Sequence, residues 1–252
     1  MIWKFITFFV RKLDPEIAHK LTIKSLKLGL HPRLNQSVIP INIGNLIFKN
    51  LLGVAAGFDK NAEVINKIHF LNFGFTEVGT ITPVPQYGNP KPRIFRLEKD
   101  QALINRLGFN NHGSEVVYRR IIENPPMGFL GINVGPNKDT KDKEEDYYLC
   151  LSKLATSAGY LTINISSPNT VGLRNFHEHQ ELNKLLAGIN KIKKDKNILK
   201  PLVIKLSPDI KDGEISKIIE LILKYKIDGI ILSNTTDSNR ENLNDTQKNE
   251  KG

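Results

Sequence analysis

The chain has 252 residues, 40% of them hydrophobic, a net charge of +10 and one cysteine, Cys150. That length suits one large domain or two small ones, and the apolar content suffices for a real core. A single cysteine excludes a disulfide framework and any Cys-based zinc site. The basic residues are not interleaved with aromatics as single-stranded nucleic acid would require, so no nucleic-acid partner is expected.

The positive charge is concentrated at the start. Lys4, Arg11, Lys12, Lys20, Lys24, Lys27 and Arg33 stand against Asp14 and Glu16 within residues 1–37. The apolar opening, residues 2–10, is broken by Lys4 and is too short to span a bilayer. No small-residue cleavage site follows it, which argues against a secretory signal. Asp14-Pro15-Glu16 has the form of a helix N-cap with proline in the first turn. Ile17, Leu21 and Leu28 then fall on one helical face, with Ala18 and Ser25 beside them. Basic residues on one side and Trp3 with phenylalanines on the other describe amphipathic helices of the kind that lie in a membrane surface. A helical cap packed on the main domain is the competing reading.

From residue 40 the pattern changes. Residues 41–43 and 46–48 flank Gly44-Asn45, a hairpin signal. Six apolar runs follow, at 51–56, 75–78, 130–134, 161–165, 202–206 and 229–232. Amphipathic stretches lie among them at 62–70, 147–158, 181–192 and 214–225. Near-continuous Val, Ile and Leu runs predict strands covered on both faces, hence a parallel sheet. Strands alternating with helices predict repeated βα units. No Gly-x-Gly-x-x-Gly opens a helix and no P-loop is present, which favours a (β/α) barrel over a nucleotide-type open sheet. Only six units are counted, and residues 237–252 are polar apart from one leucine. The expectation is an α/β barrel of the TIM type represented by its first six units, incomplete at the C-terminus, from 38 to 252, with residues 1–37 as a helical extension.

Such barrels carry their chemistry at the C-terminal ends of the strands. Each predicted strand here ends in polar groups: Ala56-Gly57-Phe58-Asp59-Lys60, Gly79-Thr80, Asn133-Val134-Gly135, Asn164-Ile165-Ser166-Ser167-Pro168-Asn169-Thr170, Lys205, and Ser233-Asn234-Thr235-Thr236. A second cluster, Asn105-Arg106-Leu107-Gly108-Phe109-Asn110-Asn111, follows Lys91-Pro92-Arg93, which reads as a rigid extended connection. Amides and hydroxyls in this density suit the grip of a flat polar ring, since one Asn side chain both donates and accepts.

These segments resemble the dihydroorotate dehydrogenase family, the flavin enzymes of pyrimidine synthesis. The N-terminal extension and a serine at 167 resemble its membrane-associated, quinone-reducing class. The resemblance implies FMN as cofactor, dihydroorotate and orotate as substrate and product, and a membrane quinone as acceptor. It also implies a peripheral position on the cytoplasmic face of a bacterial inner membrane, or on the mitochondrial inner membrane in a eukaryote. It gives Ser167 the part of the base that takes a proton from the substrate ring, with Thr170 and Phe109 shaping the proton's exit. Lys60, Asn105, Arg106, Leu107, Gly108, Phe109, Asn164, Asn169, Asn234 and Thr235 take substrate-binding places. Ala56, Gly57, Lys60, Thr80, Asn133, Asn164, Lys205 and Ser233 take flavin-binding places; Thr is more familiar at 233. His19 and Arg96 match positions on a quinone tunnel, and no metal is implied. The family's flavin-phosphate loops follow a seventh and an eighth strand, which these 252 residues do not supply. Two other readings stay open: a related flavin barrel acting on another dihydropyrimidine, and a truncated relative without catalysis.

Overall fold

The computed structural model describes residues 2–31, 39–44, 46–170 and 172–252, with side chains from residue 6 onward. The Trp3 and Lys4 side chains, Arg33 and Asn45, all invoked above, lie outside that description.

Six parallel strands form one sheet in the order β10-β9-β8-β7-β4-β3: β3 (Gly53–Val54), β4 (Phe75–Ile81), β7 (Phe129–Val134), β8 (Tyr160–Asn164), β9 (Leu202–Lys205) and β10 (Gly229–Ile231). Helices α3 (Ile65–Phe70), α4 (Gly113–Glu123), α5 (Lys143–Leu154), α6 (His179–Asp195) and α7 (Asp212–Lys224) alternate with them. This is the α/β arrangement of a TIM-type fold, and the six expected strands are the six observed. Side chains on the outer face of the sheet, such as Val78, Ile132, Ile163 and Ile204, join the main core with Leu151, Leu185 and Ile218 of the helices.

The inner face follows a different rule. Phe48, Phe75, Phe129 and Tyr160 meet at the N-terminal mouth, with ring centroids 4.9 to 6.5 Å apart. Above them come Glu77, Thr162, Asn133 and Asn164. The period of two that alternates the faces of a strand therefore sorts apolar side chains outward. On the inner face, aromatics lie at the bottom and amides at the top. Phe48 belongs to a small antiparallel hairpin, β1 (Ile41–Ile43) with β2 (Leu46–Phe48), as its turn signal predicts. Gly131 is glycine because a Cβ there would sit 2.2 Å from the Tyr160 ring.

Two elements depart from the sequence reading. Residues 91–105 are not simply an extended connection: β5 (Ile94–Leu97) pairs antiparallel with β6 (Ala102–Asn105). The segment ahead of β7 also contains α4, to which no helix was assigned. At the other end, residues 237–252 form neither helix nor strand, as their polarity predicts, but they pack against this hairpin. Leu243 lies against the Phe95, Leu97 and Ile104 cluster, and the Asn244 N–H donates to Asp100 at 2.9 Å.

The N-terminus forms α1 (Ile2–Lys12) and α2 (Pro15–Lys27). Asp14 caps α2 as predicted, accepting the Glu16 and Ile17 N–H groups at 3.0 Å each. The face of α2 that packs is not the one carrying Ile17, Leu21 and Leu28, which stay exposed. Ile23 and Leu26 pack instead, on Val64 and Ile68. Among the described residues no helix is long and apolar enough to cross a membrane.

Candidate functional site

The C-terminal ends of β4, β7 and β8 are tied into one buried hydrogen-bond network. Thr80 Oγ1 donates to Asn133 Oδ1 at 2.7 Å. Asn164 Nδ2 donates to Thr80 Oγ1 at 2.9 Å and to Asn133 Oδ1 at 3.1 Å. The Asn164 oxygen accepts both the N–H and the hydroxyl of Ser166, and Asn234 from the loop after β10 donates to Ser166 Oγ at 2.9 Å. Below them Glu77 receives Asn133, Tyr160 and Thr162 at 2.8 to 2.9 Å. Strand geometry causes this convergence, since Glu77, Asn133, Thr162 and Asn164 all occupy inward positions in register. Lys205 reaches the same interior from β9. Burial pushes its ammonium pKa down, and the Glu77 charge opposes that shift. Among the described residues it makes no hydrogen bond or ion pair.

Ser167 lies on the loop leaving β8 and is 5% exposed. Its oxygen accepts the Asn169 N–H at 3.2 Å, and the Asn169 side chain donates to the Asn105 carbonyl at 3.0 Å. That contact joins the β8 loop to the second polar cluster. The cluster is itself shaped by its neighbours: Gln86 donates to the Gly108 and Phe109 carbonyls, and Asn89 donates to the Arg106 carbonyl. Phe109 adopts φ 51°, a left-handed backbone rare for a bulky residue. Its ring packs beside Gly135 and Thr80, where a Cβ on Gly135 would meet both within 3.0 Å. Thr170, farther along the loop that leaves β8, is buried.

A cleft of about 1350 Å³ opens between α2 and the loops after β3 and β4. His19, Arg96, Phe58, Leu103, Gly57 and Lys60 line it. His19 Nε2 lies 2.7 Å from the Phe58 carbonyl, and burial and the Lys60 charge lower its pKa. Burial pushes Lys60 down to about 8; its ammonium donates to the Gly57 carbonyl at 2.6 Å. The Gly57 N–H on the cleft wall donates to the Gly79 carbonyl at 2.8 Å, so the cleft wall is bonded to the strand end that carries Thr80.

Several expected residues are placed otherwise. The Arg106 guanidinium turns away, onto the Phe95 ring and Glu250 at 2.8 Å, so only its backbone faces the cluster. Arg96 lines the cleft, but Nη1 is spent on the carbonyls of Arg11 and Leu13 that end α1. Ser233 and Thr235 are exposed, Ser233 Oγ donating to the neighbouring Asn234 carbonyl at 3.1 Å, and Ala56 is half-buried.

Four residues escaped the sequence reading. Arg93 grips Glu16 through both carboxylate oxygens at 2.7 and 3.0 Å, and it also donates to the Tyr87 and Asn89 carbonyls. Both partners are buried. An acid in the first turn of a helix normally reads as capping, which hid Glu16. Arg174 reaches the Ser166 carbonyl at 3.3 Å, Asp209 at 3.0 Å and Asp237 at 2.9 Å, tying three strand-end loops together. Glu77 sits inside an apolar run, where its charge was the available signal.

The comparisons with known proteins point one way. The family model described as dihydroorotate dehydrogenase matches residues 38–252. A Bartonella henselae protein named dihydroorotate dehydrogenase (quinone) is 46% identical over 246 residues, 95% of this chain and 68% of the relative. One of the same name from Rhodopseudomonas palustris is 44% identical over 250 residues, 96% of this chain and 69% of the relative. The crystal structure of the Eimeria tenella enzyme in complex with ferulenol superposes with a TM-score of 0.90 at 37% identity, covering 95% of this chain and 71% of that one. With the family model spanning the barrel and relatives this similar across nearly its whole length, the chain belongs to the dihydroorotate dehydrogenase family.

Proposed function

We infer that the protein oxidises dihydroorotate to orotate in pyrimidine biosynthesis and delivers the electrons to a quinone, with FMN as its cofactor. The observation that carries this reading is the buried amide–hydroxyl network at the strand ends, with Ser167 on the loop that leaves it. Thr80, Asn133 and Asn164 suit the polar edge of a flavin ring, and the Lys205 ammonium, which has no hydrogen-bonding partner among the described residues, suits its negative charge. When bound, the flavin supplies the hydride acceptor.

The protein's own part is to orient the ring and move one proton. Asn105, Asn164, Asn169 and Asn234 supply the donors and acceptors that match an imide and a carboxylate. Lys60 supplies positive charge beside them. Ser167 Oγ takes the proton from one ring carbon as its own hydroxyl proton passes to the exit, while the hydride leaves the neighbouring carbon for the flavin. The Asn169 N–H on that oxygen supports the partial alkoxide character it takes on as its own hydroxyl proton moves off. Thr170 and Phe109 line the proton's way out.

Residues 1–37 act as the unit that meets the membrane and admits quinone. Supporting this are the exposed Phe8, Leu13, Ile17 and Leu21, the basic side chains of α2, and the cleft beneath it that runs to Lys60. The expected position is the cytoplasmic face of a bacterial inner membrane, or the mitochondrial inner membrane in a eukaryotic source.

Replacing Ser167 with Ala tests the reading. Dihydroorotate oxidation should fall on the order of 10²–10⁴-fold, the range for losing a general base, with flavin content unchanged. An active Ala variant would refute the role. A Cys variant should work at lower pH, because a thiol ionises near pH ~8.5.

A further inference from the structure

The network at the strand ends has a direction. Asn234 donates to Ser166, Ser166 to Asn164, Asn164 to Thr80 and Asn133, Thr80 to Asn133, and Asn133 to Glu77. Every donor points down the barrel, toward one carboxylate. Two groups in this chain have no choice of role. The Ser166 N–H can only donate, which fixes the Asn164 oxygen upward. The Glu77 carboxylate can only accept, which fixes the Asn133 nitrogen downward. Everything between is determined by those two ends.

We propose that Glu77 is a positioning residue: as the terminal acceptor beneath the site it orients the Asn133 amide, and through it Thr80 and Asn164, so that their donors and acceptors are preset for the ring bound above. Packing alone does not call for a carboxylate here. Glu77 is 3% exposed, and its partners Thr162 and Asn133 are fully buried. A buried charge is expensive, and an apolar side chain of similar volume is often as stable or more so. What an apolar side chain cannot do is accept the Asn133 N–H. Without an acceptor that group becomes an orphaned buried donor, and the amide is held only through its oxygen, by Asn164 and Thr80. Tyr160 and Thr162 complete the device by donating to the second carboxylate oxygen, at 2.8 and 2.9 Å, which holds the carboxylate in one plane. Lys205, on β9 across the same interior, acts on Glu77 as a charge at a distance, without an ion pair between them.

The proposal rests on the strand ends being the ligand site, and the test separates the two. Glu77→Gln keeps an acceptor toward Asn133 and removes the charge; Glu77→Met removes both at similar volume. The side-chain amide signals of Asn133 and Asn164 and their hydrogen-exchange lifetimes are read by NMR, alongside orotate affinity. The Gln variant should keep both readings within threefold of wild type. The Met variant, still folded by its melting curve, should shorten the Asn133 lifetime at least tenfold and weaken orotate at least tenfold. A folded Met variant with wild-type lifetimes overturns the proposal. So does a Gln variant that fails as Met does, because charge and not direction would then matter. If the Met variant does not fold, a neutron structure of the wild-type protein decides. An Asn133 amide with its oxygen on Glu77, or a deuteron on Glu77, overturns the proposal; nitrogen toward a bare carboxylate supports it. If orotate does not bind even to the wild type while the amide results hold, the ligand reading fails and the positioning reading stands.

Discussion

The strand-end network and the cleft under α2 are joined by the Gly57–Gly79 hydrogen bond but are built on opposite principles. In the network, Thr80, Asn133, Asn164 and Ser166 are almost fully buried and each hydrogen-bonds to another. In the cleft, Lys20, Lys24, Lys27, Lys91 and Arg96 line an open volume. The roof α2 is held by Ile23 and Leu26 and by ion pairs of Glu16 with Arg93 and Lys91 and of Lys27 with Glu63, of which only Glu16 with Arg93 is buried on both sides. A network with no spare partner presents one fixed face, which suits recognition of a small polar ring. A cleft roofed by a lightly anchored helix suits a bulky apolar guest that must enter and leave. The difference follows from where the polar groups sit: on parallel strands in register they meet each other, and on an outlying helix they meet solvent.

That comparison breaks first at the buried ion pair. Replacing Glu16 with Ala strands the Arg93 guanidinium, and removing one partner of a buried pair costs about 3–5 kcal/mol. Glu16 borders the open cleft, so the low end, about 3 kcal/mol, is expected, or a factor of ~150 in the equilibrium. Urea unfolding measures it, and hydrogen exchange should place the loosening in α2 and the 86–93 loop while β7 and β8 stay protected. Hydrogen bonding to Arg93 holds the Glu16 carboxyl below its ordinary 4.5. The pair's contribution is therefore complete above pH 4.5 and lost as pH falls through the lower folded value. Wild type should loosen in α2 in that acid window, and the Ala variant should show no such step.

The cleft wall gives the next effect. Lys60 is pushed down to about 8 by burial, so free protein loses that charge as pH rises past 8. A bound carboxylate restores it, since an opposite charge nearby favours the ammonium. Orotate binding then takes up a proton above pH 8. Affinity should be flat below that value and fall by up to about tenfold per pH unit above it, as proton linkage requires. Calorimetric titration from pH 6 to 10 measures the slope. A flat profile throughout would mean that Lys60 does not face the ligand's charge.

The network was far more legible in the sequence than the cleft, for a physical reason. Strand-end residues follow directly after apolar runs, so Asn133, Asn164 and Lys205 announce both their element and their place on it. Glu77 was visible as a charge inside such a run, but its purpose depends on Asn133 and Tyr160, which are 56 and 83 residues away. Glu16 and Arg93 are 77 residues apart, and nothing local in either segment names the other. The spacing in α2 picked out Ile17, Leu21 and Leu28, but helical spacing does not say which face packs. The face that packs also carries Glu16, so amphipathicity pointed to Ile17, Leu21 and Leu28 instead. Arg106 looked like a site residue because its neighbours are; which way a side chain leaves a loop is decided by tertiary partners, here Phe95 and Glu250.

That unpacked face carries the smallest expected effect, and it separates the helix's two jobs. Ile17 and Leu21 are 53% and 46% exposed, so Asp at either position removes little packing. Unfolding stability should stay within about 0.5 kcal/mol of wild type, as for surface substitutions generally. If these side chains enter the acyl boundary of a membrane, each contributes part of the roughly 1.5–3 kcal/mol of a fully buried aliphatic side chain. About 1 kcal/mol apiece is reasonable for a half-exposed residue, or roughly a fivefold loss of vesicle affinity per substitution. Flotation with vesicles of mixed neutral and anionic lipid measures it. Raising salt distinguishes the cause, because the contribution of Lys20, Lys24 and Lys27 is screened and apolar insertion is not. Binding that vanishes in salt and ignores both Asp substitutions would assign membrane contact to the lysines alone. The exposed stripe of α2 would then have no part in it.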